Sequence, residues 1–118
     1  MSWQHVCTRQ DLVAGGGVAA LVDGEQVALF YLPDQSPPLY AIGNRDPIGG
    51  ANVLSRGIVG DVSGELVVAS PLYKQHFSLL TGVCLEQGDV AVPVWEVKLD
   101  GDKVSLRPPA AALNRTGT

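Results

Sequence analysis

The stretch LVVASPLYKQHFSLLTG, residues 66–82, decides the fold. It opens with the apolar run LVVA, which has the composition of a buried β-strand. Pro71 cannot donate a hydrogen bond to a neighbouring strand, so the chain must leave the sheet there in a loop. The order predicted for this stretch is therefore strand, proline-containing loop, strand and turn.

The second strand of the stretch, Lys74–Leu79, is predicted from its alternation. Phe77 and Leu79 fall on one face, and His76 and Ser78 fall on the other. A period of two residues is typical of a strand with one buried face. We therefore expect Ser78 to face away from the core, and we interpret His76 as a solvated or interface histidine rather than a general base.

Short β-rich runs separated by turn signals make up most of the remaining chain. Asp23-Gly24, Ser63-Gly64 and Asp100-Gly101 each lie between such runs, which is the pattern of a β-hairpin. The 14 glycines and 8 prolines of the 118 residues agree with many tight turns. We predict an all-β fold, an antiparallel sandwich or barrel of about nine short strands.

The composition favours a single folded domain. Hydrophobic residues make up 46% of the chain and charged residues 17%, which allows a buried core. The formal net charge of −4 argues against a nucleic-acid partner, which requires a basic surface. We expect one domain over residues 1–118, with an ordered core at 3–107 and a flexible tail at 108–118.

Neither a membrane segment nor a secretion signal is predicted. No apolar run approaches the length of a membrane-spanning helix, and the opening residues MSWQHVCTRQD lack the apolar segment of a signal peptide. A cytoplasmic protein is therefore expected, and its two cysteines, Cys7 and Cys84, are interpreted as small buried side chains without a disulfide. With only two histidines beside them, no zinc site is predicted.

The loop in the opening stretch resembles the second cluster-binding loop of Rieske iron–sulfur domains. That family carries Cys-Pro-x-His before a strand with an aromatic residue and a Thr-Gly turn. The same frame here reads Ser70-Pro71-Leu72-Tyr73. By this resemblance, Ser70 stands at the cysteine position and Tyr73 at the histidine position.

A second loop, at residues 44–46, resembles the first cluster-binding loop of the same family. The family motif Cys-x-His is replaced by Asn44-Arg45-Asp46, with Leu54 and Gly57 downstream. A Rieske cluster needs two thiolates on one iron and two imidazoles on the other. The resemblance implies a Rieske-like fold without a cluster, a metal or catalytic residues in this chain; its degenerate ligand positions are Asn44, Asp46, Ser70 and Tyr73.

A closer resemblance rests on four segments between residues 54 and 86: LSRGIVG, GELVVASPL, KQHFSL and TGVCLE. They are similar to the small subunits of assimilatory NAD(P)H-dependent nitrite reductases, and the resemblance extends over residues 3–107. In that family a large subunit carries flavin, an iron–sulfur cluster and sirohaem, and reduces nitrite to ammonia. The resemblance implies a non-catalytic small subunit in nitrate assimilation whose partner is that large subunit.

Two other functions stay open from the sequence. The chain could be a stand-alone Rieske-like domain that binds another protein or a small molecule, or an electron carrier with an unusual [2Fe-2S] cluster. Visible absorbance would reveal the cluster, and co-purification with a sirohaem protein would identify the subunit. For the subunit, we expect the tip that holds the cluster in relatives to be a docking surface, because tyrosine and arginine beside leucine are enriched at interfaces; its predicted residues are Arg45, Asp46, Leu72, Tyr73 and Lys74.

Overall fold

The computed structural model describes residues 3–108, so the flexible tail predicted at 108–118 lies outside the described residues except for Pro108. Within that range the chain forms nine strands and two short 3₁₀ helices, at Arg9–Asp11 and Leu54–Arg56. The prediction of an all-β fold with about nine short strands is confirmed. The strands are β1 (Gln4–Thr8), β2 (Gly16–Val22), β3 (Glu25–Tyr31), β4 (Leu39–Gly43), β5 (Ile58–Val62), β6 (Glu65–Ala69), β7 (His76–Ser78), β8 (Val94–Asp100) and β9 (Lys103–Arg107).

The strands form two antiparallel sheets. One has six strands in the order β1-β9-β8-β4-β3-β2, and the other has three in the order β5-β6-β7. The edge strands of the larger sheet approach each other, and Gln4 Nε2 donates a hydrogen bond of 2.8 Å to Asp23 Oδ2 beside the end of β2. The larger sheet is therefore nearly a barrel. The described residues contain no helix with the length and hydropathy that a membrane crossing requires.

Strand β3 lies between two hydrophobic cores and is apolar on both faces. Val27 packs with Trp95 in the core enclosed by the six-stranded sheet. Phe30 packs with Phe77 in the core between the two sheets. Residues 27–30 are accordingly all buried, because a strand covered on both sides has no face to offer water. The neighbouring β4 is buried throughout for the same reason.

Two of the predicted hairpin turns have the backbone conformation that their residues favour. The φ angles are 52° and 82° at Asp23 and Gly24, and 53° and 88° at Ser63 and Gly64. Positive φ at both central residues defines a type I′ turn, whose twist matches that of the two strands it joins. These turns set the registers β2–β3 and β5–β6, and with them the position of the loops that follow.

The expected exposure of Ser78 is wrong, because the chain folds back over that face of β7. Ser78 is fully buried. Its hydroxyl accepts hydrogen bonds from the backbone N–H groups of Leu80 and Thr81, both at 3.2 Å. The turn after the strand thus covers the serine and satisfies it. The alternation of apolar and polar residues within β7 does not show that residues 80 and 81 cover this face.

Candidate functional site

Two loops meet at one end of the three-stranded sheet and contain all four degenerate ligand positions. The first loop covers residues 44–53 and follows β4; the second covers residues 70–75 and joins β6 to β7. A direct hydrogen bond between Asp46 and Ser70 connects them. We call these two loops together the loop tip.

The carboxylate of Asp46 fastens the two loops to each other. Ser70 Oγ donates to Asp46 Oδ2 at 2.5 Å, and both residues are fully buried. The other carboxylate oxygen, Oδ1, accepts hydrogen bonds from the N–H groups of Ile48 and Gly49 at 2.8 and 3.1 Å. Leu72 N donates to Ser70 Oγ at 3.3 Å. Hydrogen bonds thus link positions that the iron–sulfur cluster links in Rieske domains.

Burial and hydrogen bonding act on the pKa of Asp46 in opposite directions. Removal from water raises this pKa, whereas the Ser70 hydroxyl and the N–H groups of Gly49 and Ile48 lower it. The hydrogen bonds prevail, and the pKa of Asp46 lies below its ordinary value. The carboxylate is therefore ionised near neutral pH, and a charged acceptor forms stronger hydrogen bonds than a neutral one.

Asn44 is also buried, but its side chain forms no hydrogen bond to the second loop and instead bonds to β3 and to the 3₁₀ helix at Leu54–Arg56. Its Oδ1 accepts the N–H of Ser55 at 2.7 Å, and its Nδ2 donates to Gln26 Oε1 at 2.9 Å. The backbone N–H of Asn44 also donates to the Gln26 carbonyl at 3.0 Å. The amide thereby joins the start of β3 to the first loop and the 3₁₀ helix after it. Nothing in the local sequence singled out Gln26 for this role.

The surface of the loop tip is formed by the remaining predicted residues. Tyr73 is 63% exposed and Leu72 41% exposed. Arg45 and Lys74 are exposed beside them. Lys74 has a φ of 67°, a left-handed conformation that is costly for a residue with a side chain. Its N–H donates to the Ser70 carbonyl at 3.0 Å, which closes the second loop in this strained shape.

These residues do not fit a [2Fe-2S] cluster. The four positions offer an amide, a carboxylate, an aliphatic hydroxyl and a phenol, whereas the cluster requires thiolates and imidazoles. Asp46 and Ser70 lie within hydrogen-bond distance of each other, and Tyr73 is mostly in solvent. Among residues 3–108 no three His, Cys, Asp or Glu side chains lie close enough together to hold a metal ion. The donors present support a hydrogen-bonded connection between the two loops.

His76 lies at the base of the second loop and is paired with Glu86. Its Nδ1 is 2.6 Å from Glu86 Oε2, and its backbone N–H donates to Glu86 Oε1 at 2.8 Å. The bond from the backbone N–H is the main reason why the pKa of Glu86 is lowered. Sequence reasoning missed Glu86, because it reaches the histidine from a loop that has no strand pattern. The pair fixes the orientation of the imidazole at the protein surface.

Comparisons with known proteins agree on one family. A family model described as a Rieske-like [2Fe-2S] domain matches residues 2–107. The small subunit of nitrite reductase (NADH) from Salmonella typhimurium is 45% identical over 105 residues, which cover 89% of this chain and 96% of that protein. The solved structure of the nitrite reductase [NAD(P)H] small subunit from Erwinia carotovora matches with a TM-score of 0.72 and 44% identity, covering 90% of this chain and 82% of that one.

A further relative is a much longer protein. The nitrite reductase [NAD(P)H] large subunit of Klebsiella oxytoca is 42% identical over 102 residues, which cover 86% of this chain and 10% of that protein. In that organism a domain of this kind is therefore part of the same polypeptide as a large subunit. From the fold, the family model and the identity to separate small subunits, the chain belongs to the Rieske-like [2Fe-2S] domain family and, within it, to the nitrite reductase small subunits.

Proposed function

We propose that this chain is the small subunit of an NAD(P)H-dependent nitrite reductase and that it acts by binding the large subunit. The main support comes from the large subunit of Klebsiella oxytoca, which contains a domain 42% identical to this chain. Domains that are fused in one organism and separate in another are expected to associate when they are separate. The fusion therefore supports the subunit over a stand-alone binding domain.

The redox centres of the complex are assigned to the large subunit. By the family resemblance, that subunit would hold flavin, an iron–sulfur cluster and sirohaem, which would supply the electron transfer from NAD(P)H to nitrite. This chain offers no thiolate or imidazole at its degenerate ligand positions, so we place it outside the electron path. Because NAD(P)H is a cytoplasmic electron donor, we assign the complex to the cytoplasm.

The exposed part of the loop tip is the proposed docking surface, formed by Arg45, Leu72, Tyr73 and Lys74. The buried hydrogen bonds beneath it hold both loops in one arrangement. Little conformational entropy is therefore lost when the surface is covered. Asp46 has no exposed surface, so we assign it the role of holding the loops and no longer a contact with the partner.

Co-expression with the large subunit tests the proposed function. We expect the two chains to co-purify in a fixed stoichiometry, and nitrite-dependent oxidation of NAD(P)H to fall when this chain is omitted. A cluster-bearing Rieske ferredoxin of the same fold serves as the control bait, which the large subunit should not retain. A large subunit that is stable, active and unable to bind this chain would contradict the proposal.

The purified chain is expected to stay free of an iron–sulfur cluster after anaerobic reconstitution with iron and sulfide. The reason is that Asn44, Asp46, Ser70 and Tyr73 replace every thiolate and imidazole ligand. Iron content, acid-labile sulfide and visible absorbance measure the outcome, and a Rieske ferredoxin shows that the reconstitution works. Two irons and two sulfides per chain would restore the electron-carrier function as a candidate.

A further inference from the structure

An open groove of about 590 Å³ adjoins the loop tip, and its lining includes the hydrogen-bonded pair Asn44 and Gln26. Leu21 of β2 stands at this groove and is 70% exposed. Most of the other lining side chains are apolar or uncharged, and a leucine this exposed would be stabilised by a partner that removes it from water. The lining includes Leu21, Gln26, Arg45, Pro47, Ala91 and Pro93.

The C-terminal end of the described fold lies at the same end of the larger sheet as this groove. Strand β9 is antiparallel to β8, and Arg107 near its end pairs with Glu96 near the start of β8. Pro93, which lines the groove, directly precedes β8. The last described strand therefore ends on the groove side of the larger sheet.

The N-terminal end lies on the same side. Gln4 at the start of β1 pairs with Leu106 of β9. Its side chain also donates a hydrogen bond to Asp23. The two residues that follow Asp23, Gly24 and Glu25, line the groove. Both ends of the domain thus lie at the same end of the larger sheet as the groove.

This arrangement has a consequence for the Klebsiella oxytoca protein, in which the related domain is covalently joined to the large subunit. Whichever end carries the connection, the polypeptide leaves the domain at the end of the larger sheet that carries the groove. We propose that the groove receives an extended apolar segment of the large subunit. The two charged residues in its lining, Glu25 and Arg45, have opposite signs, which suits an uncharged occupant.

The groove and the loop tip form one continuous surface. Arg45 lines the groove and also belongs to the exposed part of the tip, so a single partner would cover both. The groove assignment rests on the proposed function, because its occupant is the large subunit. It adds the surface of β2 and of the segment before β8, which neither the degenerate ligand positions nor the loop motifs indicate.

The variant Leu21→Glu tests the groove, and we expect it to weaken binding of the large subunit about tenfold or more, because a buried charge would replace an apolar anchor. Leu80→Glu is the matched control. Leu80 is 63% exposed, but it lies beside the Ser63-Gly64 turn, at the other end of β6 from Ser70. Calorimetry gives the affinities, and circular dichroism shows that both variants are folded.

A photoreactive phenylalanine at position 21 provides a second measurement should Leu21→Glu fail to fold. Cross-links to large-subunit peptides would support the proposal, and cross-links to another copy of this chain or to none would overturn it. Unchanged affinity of a folded Leu21→Glu chain would also overturn it, while leaving the proposed function intact. If the unmodified chain does not bind the large subunit at all, the proposed function and the groove assignment fail together.

Discussion

Replacing Asp46 with alanine is expected to lower the free energy of unfolding by about 3 kcal/mol, because each buried polar group left unpaired costs about 1–3 kcal/mol. The substitution removes the acceptor of the Ser70 hydroxyl and of the N–H groups of Ile48 and Gly49. Ser70 is fully buried, so water cannot replace its lost partner without opening the loops. Urea unfolding followed by tryptophan fluorescence measures the loss.

Asp61→Ala provides the matched control for this loss. Asp61 also accepts a backbone hydrogen bond, from Gly64 at 2.8 Å, but it is an exposed residue of β5, beside the Ser63-Gly64 turn. Its removal should cost about 1 kcal/mol or less, since water can take over the freed N–H group. Equal losses for Asp46→Ala and Asp61→Ala would mean that the loops are held by packing and not by the buried carboxylate.

Acid should remove the same stabilisation from the unmodified chain. A carboxyl group whose pKa is lowered by folding stabilises the folded state above its unfolded pKa of about 3.9, and this contribution is lost as the pH falls through the lower folded value. The advantage of the unmodified chain over Asp46→Asn should therefore be constant above about pH 5 and shrink below about pH 4. The difference in free energy of unfolding between the two chains contains no contribution from the other carboxylates, because both chains share them. An advantage that does not change in acid would contradict the ionised pairing.

Combining Arg45→Glu with Tyr73→Ala is expected to weaken binding of the large subunit by about 2 kcal/mol or more, which is about thirtyfold in Kd. Tyr73 is 63% exposed on the second loop, and Arg45 is exposed on the first, so the pair samples both sides of the loop tip. The negative charge at position 45 would repel the group on the large subunit that attracts Arg45. Loss of the Tyr73 ring would remove its contact with the large subunit. Calorimetry with the purified large subunit gives the affinity.

A double variant of similar chemistry, Lys103→Glu with Leu80→Ala, controls for general effects of charge and exposed apolar surface. Both residues lie away from the loop tip, Lys103 in the β8–β9 hairpin and Leu80 after β7, and Leu80 is exposed to the same fraction as Tyr73. We expect this control to bind normally. A folded tip variant with unchanged affinity would move the interface elsewhere, most simply to an exposed sheet edge.

The strands and hairpins could be predicted because their signals are local. Asp23-Gly24 and Ser63-Gly64 adopt positive φ angles for reasons that lie within the turns themselves. The absence of cluster ligands could also be predicted, because it depends only on the residue types at four positions: Asn44, Asp46, Ser70 and Tyr73. These features needed no knowledge of how the sheets pack.

The burial of the site residues could not be predicted in the same way. Asp46 and Tyr73 occupy comparable positions in the two loop motifs, yet one is fully buried and the other is 63% exposed. The difference arises because Ser70, 24 residues away, donates to Asp46 across the gap between the loops. Ser78 was misjudged for a related reason, as the segment that covers it lies outside the strand.

The amino-acid sequence by itself determined the all-β class, the positions of the main turns, the family and the loss of the ligand residues. Tertiary structure alone decided that Asp46 fastens the loops, that Gln26 anchors Asn44, and that both ends of the domain lie at the same end of the larger sheet as the groove at Leu21. The physical reason is the distance along the chain over which each interaction acts. Turn chemistry and strand alternation act over a few neighbouring residues, whereas contacts between distant segments depend on sheet register and on how the two cores bring those segments together.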